Sequence, residues 1–409
     1  MNNKNLLILS FARHREFALK TLLRKGIRIL TIDNVFNSKV EVADYVYYIN
    51  NRRDSSEMFQ AAVDFYKKRK FDGVFSFLDS STITLGMLSD YFELSYFSES
   101  VGRILSDKYE VRKFLQKIGA NRLLFFSVKS EAELYKAAET IGFPFVLKPR
   151  CRSAGEGVVV INNKQEMLSS YKQVLQAAKS QDLIAEEYIC GDEYCAETLI
   201  YNGEVYVLAV TKKYVTHDRY CIEYIELTPA PIQTNLWNKI SDFVRHTISE
   251  FGIQNAVLHI ELKVNQSDEV RLIEINPRPA GNNIIESIYK TKQLNLYDYA
   301  YDIALKKPID VNKLKQQMDK PFIRYALTYD FLNPTCEGKI KEISGIRDAI
   351  SMLEHDCEKL TLKYKVGDLL PLPKSNNEVR GSIYLVDKDY HRIIKRSEEI
   401  ENVLHFELE

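Results

Sequence analysis

Short apolar runs alternate with amphipathic stretches over the first hundred residues. Leu6–Ser10 predicts a strand, and Glu16–Lys25 predicts a helix stopped by Gly26. Arg28–Ile32 predicts the next strand, with Asp33-Asn34 turning the chain. Ser56–Lys70 reads as a helix and Gly73–Phe77 as another buried strand. Strands alternating with helices in this order imply an open parallel sheet with both faces covered. No G-x-G-x-x-G follows the first strand, so a dinucleotide site there is not supported.

The pattern then changes. Helices are expected over Asp107–Ile118 and Ser130–Ile141, each closed by a glycine. Phe145–Pro149 is an expected strand, followed by a loop, Arg150–Gly157, and a second strand, Val158–Ile161. A helix over Lys164–Lys179 and a strand over Leu183–Ile189 come next. Glu193–Tyr201 and Glu204–Thr211 flank Asn202-Gly203, the strongest short hairpin signal a sequence offers. Residues 120–212 therefore read as a small α+β unit beside a larger sheet. Trp237–Phe251 is an expected helix, and Val257–Val264 and Val270–Ile275 are expected strands. Beyond residue 320, strands (Phe322–Thr328, Leu360–Lys365) mix with helices (Arg347–Glu354, Ser397–Leu404), and Pro371–Asn377 reads as an exposed loop.

The most informative segment is His259-Ile-Glu261 followed by Glu274-Ile-Asn276-Pro277-Arg278. A polar tetrapeptide, Gln266-Ser267-Asp268-Glu269, lies midway between two alternating runs. If it forms the turn, Asn265 faces Val270, Glu261 faces Glu274 and His259 faces Asn276. Opposed residues share a sheet face, about 4.5–5.5 Å apart at Cβ. Ile260, Leu262, Ile273 and Ile275 then take the other, buried face. Two opposed carboxylates repel unless something compensates. A divalent cation is the simplest compensation, and magnesium favours such an all-oxygen set together with phosphate oxygens. Arg278, just past the strand, adds a cation for a carboxylate or a transferring phosphate. A solvated polar hairpin face is the plain alternative. Pro277 and the loop Ala280-Gly281-Asn282-Asn283 weigh against it, because they stop the strand where ligands would sit.

Other elements are weaker taken singly. Lys148-Pro149 ends a strand just before Ser153-Ala154-Gly155-Glu156-Gly157, where small residues let backbone N–H groups approach an anion. Glu186-Glu187-Tyr188-Ile189 leaves its apolar run at Gly191, and Glu193 follows; exposed peptide groups there suit an adenine edge. Asp107 suits a helix N-cap, and Lys108 beside it runs against the helix dipole, which favours an anion nearby. His217 and Arg219 fall in a polar stretch that reads best as a solvated loop.

Composition narrows the class. The chain has 409 residues with 56 basic and 56 acidic side chains, so a general nucleic-acid binder is not expected. No apolar run approaches a membrane span, and no secretory signal is recognisable. The six cysteines (151, 190, 195, 221, 336 and 357) lack zinc-like spacing and suit reduced thiols in a cytoplasmic protein.

Taken in order, Lys108, Lys148 with the glycine loop, Glu186–Ile189 with Glu193, then Glu261 and Glu274-x-Asn276-x-Arg278 resemble the ATP-grasp superfamily. The Asn-Pro-Arg-Pro-Ala-Gly stretch looks like the motif of L-amino-acid (dipeptide) ligases, within the biotin-carboxylase-type branch. Ala280 stands where many members carry glycine. The resemblance implies a multidomain α/β and α+β chain. It has a parallel αβ domain at 1–103, an ATP-grasp domain at 104–315 with a mobile lid at about 120–212, and a C-terminal α+β domain at 316–409. It implies that Lys108 and Lys148 hold ATP phosphates and that Ser153, Gly155 and Gly157 close over them. Glu186 with the backbone of Glu187 and Ile189 would hold adenine, and Glu193 the ribose. Glu261, Glu274 and Asn276 would bind Mg2+ (or Mn2+), and Arg278 would stabilise the transferring phosphoryl group. The implied activity is ADP-forming ligation of a small carboxylate, such as an amino acid, to an amine, in a family where homodimers are common. A carboxylase or purine-pathway synthetase on the same fold, and a non-catalytic nucleotide-binding scaffold, are the alternatives.

Overall fold

The computed structural model describes residues 4–11, 15–34, 42–120, 123–332 and 336–409. The first sheet is parallel throughout. It contains β1 (Asn5–Leu9), β2 (Arg28–Asn34), β3 (Tyr45–Ile49) and β4 (Gly73–Ser76), in the order β3-β2-β1-β4. Helices α1 (Glu16–Arg24) and α2 (Ser55–Lys68) make the crossovers, and α3 (Thr82–Tyr91) and α4 (Glu99–Leu105) lead out. The parallel αβ reading holds here, with β3 as an edge strand the hydrophobic pattern did not announce.

Helix α5 (Lys108–Lys117) leads to a four-stranded sheet, β5-β8-β6-β7, with antiparallel neighbours. Its strands are β5 (Phe125–Val128), β6 (Phe145–Pro149), β7 (Val159–Ile161) and β8 (Leu183–Glu187). Helices α6 (Glu131–Ile141) and α7 (Met167–Ala178) cover one face, packing Leu134 and Val174 onto Phe145, Ile161 and Leu183. This small sheet ends at Glu187, short of the expected 120–212 unit.

The following hairpin, β9 (Asp192–Tyr201) and β10 (Glu204–Val215), forms as expected, with positive φ at both Asn202 and Gly203. It belongs to another sheet, however. An eight-stranded sheet runs β13-β12-β9-β10-β11-β14-β18-β16. It takes β11 (Glu223–Thr228), β12 (Ala256–Val264), β13 (Val270–Asn276) and β14 (Tyr325–Phe331). Beyond β15 (Gly338–Ser344) it adds β16 (Lys359–Leu362) and β18 (Gly381–Asp387). Strand β15 instead pairs with β17 (Leu369–Leu370) and β19 (His405–Leu408). The C-terminal part therefore continues the large sheet rather than making one wholly its own, because β14 finds its hydrogen-bonding partner in β11.

Two apolar cores join the parallel sheet to the large one. Helix α8 (Thr234–Ser249) packs Ile240, Val244 and Ile248 into the core that holds Ile260, Leu262, Leu272 and Ile275. Helices α9 (Ile284–Lys292) and α10 (Leu296–Ala304) insert Ile288, Tyr297 and Tyr301 among Ile8, Phe75 and Phe77 of the first sheet and Leu199 and Val257 of the large one. Each such fully buried side chain contributes about 1.5–3 kcal/mol relative to exposure. Loop residues of the parallel-sheet domain, α5 and β13 line a common cleft.

Candidate active site

Strands β12 and β13 place Glu261 directly opposite Glu274, and His259 opposite Asn276. The route to that register differs from the expected four-residue turn. Val264 pairs with Val270, and the turn holds five residues, closed by Asn265 N–H donating to the Glu269 carbonyl at 3.2 Å. The ladder is thus one residue out of step at its tip. A β-bulge between Glu261 and Leu262 on one side and Glu274 and Leu272 on the other restores it, leaving Ile273 as the extra residue. Ile273 is therefore not packed with Ile260 and Leu262. It lines the cleft, and its carbonyl accepts from Arg112 Nη2 at 3.0 Å.

Each carboxylate of the pair is compensated by its own protein cation. Lys108 Nζ lies 2.8 Å from Glu274, and Lys213 Nζ lies 3.1 Å from Glu261. Asn276 Nδ2 also donates to Glu261 at 3.4 Å. Burial alone would raise the Glu261 carboxyl, but the Lys213 ammonium and His259 hold it well below the usual carboxylate range. Lys108 is lifted the other way: burial works against its charge, and Glu274 more than restores it. The helix-start lysine is reached because Asp107 caps α5, accepting from Tyr109 N–H at 2.9 Å and Glu110 N–H at 3.4 Å. Arg150 then clasps that cap through Nε, 2.9 Å from Asp107 Oδ1.

Behind the hairpin lies a buried charge cluster that sequence reasoning missed. Lys213 is also 2.8 Å from Glu223 and 3.3 Å from Glu193. His259 Nδ1 hydrogen-bonds the fully buried Glu197, and its Nε2 lies 3.4 Å from Glu261. Burial opposes the imidazolium, yet Glu197 keeps it well above the ordinary histidine value. Burial pushes the Glu193 carboxyl up despite Lys213. The only signal in the sequence was alternation: Glu193, Glu197, His259, Glu261 and Lys263 all sit at every-other positions of neighbouring strands.

Lys148 and Glu186, expected at the phosphates and the adenine, meet each other. Glu186 also takes Arg112 Nε at 2.8 Å, and all three side chains are buried. Burial opposes the Glu186 charge, but Arg112 and Lys148 bring its carboxyl down to about 2. Lys148 is lowered by burial, which Glu186 only partly offsets. Arg112 Nη1 is buried with no hydrogen-bond partner among the described residues. The Glu187 N–H is already given to the Leu124 carbonyl at 3.0 Å, so only its carbonyl is left for an adenine edge. The peptide groups of Ile189 make no hydrogen bond among the described residues.

The glycine loop is a pair of tight turns, with Glu156 N–H donating to Ser153 at 3.2 Å and Val158 N–H to Gly155 at 3.1 Å. Gly157 has φ +77° and no room for a Cβ, which would meet Ala177 at 2.9 Å. Ser153, Ala154 and Glu156 line a cleft of about 470 Å³ together with Lys108, Glu274 and Asn276. Asp79 and Pro277 line the cleft, and Arg278, the next residue, is held by Asp79, its guanidinium donating from Nε at 2.7 Å and from Nη2 at 2.9 Å. Asn377 also lines the cleft, and Asn376 accepts from Glu223 N–H at 3.1 Å, so the expected exposed loop is a wall of the site. His217 is exposed, and Arg219 turns away to Ser170 on α7.

Residues 141–287 match the model of the ATP-grasp domain. These residues form an ATP-grasp domain. The matched stretch runs from the end of α6 to the start of α9 and contains three strands of the small sheet (β6, β7 and β8), the β9–β10 hairpin and the carboxylate ribbon. The chain is 22% identical to an L-arginine-specific L-amino acid ligase of Bacillus subtilis, over 85% of this chain and 86% of that one. It is also 22% identical to a formate-dependent phosphoribosylglycinamide formyltransferase of Ignicoccus hospitalis, with the same coverage of both. Its fold superposes on the crystal structure of an L-amino acid ligase from Bacillus licheniformis with a TM-score of 0.85 at 21% identity, covering 100% of this chain and 99% of that one.

Proposed function

We propose that this chain is an ATP-dependent, ADP-forming ligase that joins a small carboxylate, such as an amino acid, to an amine. The observation that carries the reading is the register that sets Glu261, Glu274 and Asn276 on one sheet face, with Glu274 and Asn276 at the mouth of the cleft that Lys108 and Ser153 also line. The donors Glu261, Glu274 and the Asn276 amide oxygen are all oxygen, which fits Mg2+, with Mn2+ as a substitute. Magnesium bound there supplies neutralisation of phosphate charge. Lys108 and Lys148 then serve the phosphates, Ile189 and the Glu187 carbonyl the adenine edge, and Glu193 the ribose.

A carboxylate is a poor electrophile. Its oxygen attacks the γ-phosphorus, the bond to ADP breaks, and an acyl-phosphate results. The amine nitrogen adds to the acyl carbon, loses a proton, and phosphate leaves with its bonding pair. Arg278 then stabilises the negative charge that develops in both steps. The small sheet of residues 125–187 serves as the lid, and closing it protects the acyl-phosphate from water. The unpaired cysteines and the absence of any membrane-length apolar helix among the described residues accord with a cytoplasmic setting.

The test is a phosphate-release screen over paired amino acids, with product mass measured. Ribosylamine with formate or bicarbonate forms a second arm, prompted by the formyltransferase relative. Turnover only in the second arm overturns the amino-acid reading. Nucleotide binding with no turnover in either arm favours a scaffold.

A further inference from the structure

The cleft has a wall that the nucleotide does not require. Arg52 and Arg53, on the loop between β3 and α2, line it together with Ser55, Asp79 and Ser80 of the parallel-sheet domain. Neither guanidinium has an acidic partner among the described residues, whereas Lys108 and Arg152 of the same wall, and Arg278 just beyond it, are engaged. Lys108 is on Glu274, Arg278 is on Asp79, and Arg152 donates to the Ala178 carbonyl at 2.8 Å.

The neighbouring acids are turned away from the arginines. Asp54 accepts from Ser56 N–H at 2.9 Å and Glu57 N–H at 3.0 Å, capping α2. Glu57 accepts from Asn50 N–H at 2.8 Å and Asn51 N–H at 2.9 Å. Asn51 closes the loop, its side chain taking Arg53 N–H at 3.0 Å and its carbonyl taking Asp54 N–H at 3.0 Å. The backbone of this loop is thus fixed by its own acids, which leaves two uncompensated cations facing the cleft. The phosphate loop and its lysines come from elsewhere in the chain, so these arginines are surplus to a triphosphate.

Resting on the ligase reading, we propose that one of the two substrates carries a second anionic group, beyond the carboxylate that reacts, and that Arg52 and Arg53 hold it. Guanidinium pairs suit a carboxylate or a phosphate monoester, both of which accept paired N–H bonds. The substrate class is then an acidic amino acid or a phosphorylated small molecule. Its remaining groups face Asp79 and Ser80.

The experiment compares the wild-type chain with an Arg52→Ala/Arg53→Ala double variant and an Arg52→Lys/Arg53→Lys control. Turnover is measured with L-glutamate, L-aspartate and O-phospho-L-serine against L-alanine, L-leucine and L-glutamine, each paired with a common amino-acid panel. L-Glutamate against O-phospho-L-serine separates carboxylate from phosphate. Thermal shift with the same acidic probes, in the presence of Mg2+ and a non-hydrolysable ATP analogue, reads binding without turnover. The expected result is faster ADP release with an acidic probe. In the alanine variant the KM for that probe rises about tenfold or more, the scale of losing one charge-assisted contact. KM for ATP stays unchanged, and the lysine control falls between. Equal turnover of neutral pairs by the wild type, or a rise in KM for ATP instead, overturns the inference and leaves the ligase reading standing. A thermal shift lost in the alanine variant, with no turnover of any pair, upholds the anion site and overturns the ligase reading. No shift and no turnover overturn both.

Discussion

Asp79, on the parallel-sheet domain, grips Arg278 of the carboxylate ribbon across 199 residues of sequence, with both carboxylate oxygens engaged. Burial opposes the guanidinium charge, and Asp79 more than restores it. The pair fixes the plane of the guanidinium, in the role proposed for it at a developing anion. Asp79→Asn keeps the size and loses the charge. We expect kcat to fall about 10–100-fold with KM for ATP little changed, the scale of a misplaced reacting group. Asp79→Glu should recover part of the loss. A variant with wild-type kcat would remove Asp79 from any positioning role.

Glu274→Gln and Glu261→Gln each delete one charge from the proposed metal set. ADP formation should drop at least ~100-fold in either, as it does when a preorganised electrostatic group is lost. Chelation of divalent ions should silence the wild type, and added Mg2+ should restore it. Full activity in both variants would mean that the opposed carboxylates serve only the hairpin.

The Glu186 carboxyl lies at about 2 in the fold against its ordinary 4.5. Because folding favours its ionised form, its contribution is complete above the ordinary value and disappears as pH falls through the folded one. The window is therefore between about pH 5 and pH 2, and the total is about 3 kcal/mol at 1.36 kcal/mol per unit. Urea midpoints measured across that window should fall less steeply for Glu186→Gln than for the wild type. At neutral pH the variant should be about 3–5 kcal/mol less stable, since Lys148 and Arg112 lose their buried counter-charge. Parallel acid profiles would count against this account.

Gly73 marks the tightest approach between β4 and α10. A Cβ there would sit 1.7 Å from the Ala304 carbonyl oxygen. Gly73→Ala should cost about 1–3 kcal/mol or more and lower the melting temperature by several degrees. An unchanged melting temperature would contradict that contact.

The carboxylate ribbon is legible because strand periodicity is two, and a polar tetrapeptide sits midway between two alternating runs. The five-residue turn is not legible, nor is the bulge at Ile273. Their effects cancel at Glu274, so the register near the site comes out as expected for a reason the pattern did not contain. The β9–β10 hairpin is equally legible as a local object. Its membership in the large sheet depends on β12, which arrives more than 50 residues later. Asp79, Lys213 and Arg112 carry no motif. Arg112 resembles any helix arginine until Lys148 and Glu186 fold beside it, and Lys213 resembles a surface strand lysine until three carboxylates converge on it.

Strands β14, β18 and β16 extend the same ladder that begins at the carboxylate ribbon. Trimming the chain at about residue 320 would strip the outer side of β11 and bare a row of peptide N–H and C=O groups beside Glu223 and Glu226. Naked sheet margins of that kind recruit other chains. The nucleotide-facing half is therefore not an excisable module, and any minimal fragment has to retain the far end of the ladder to stay in solution.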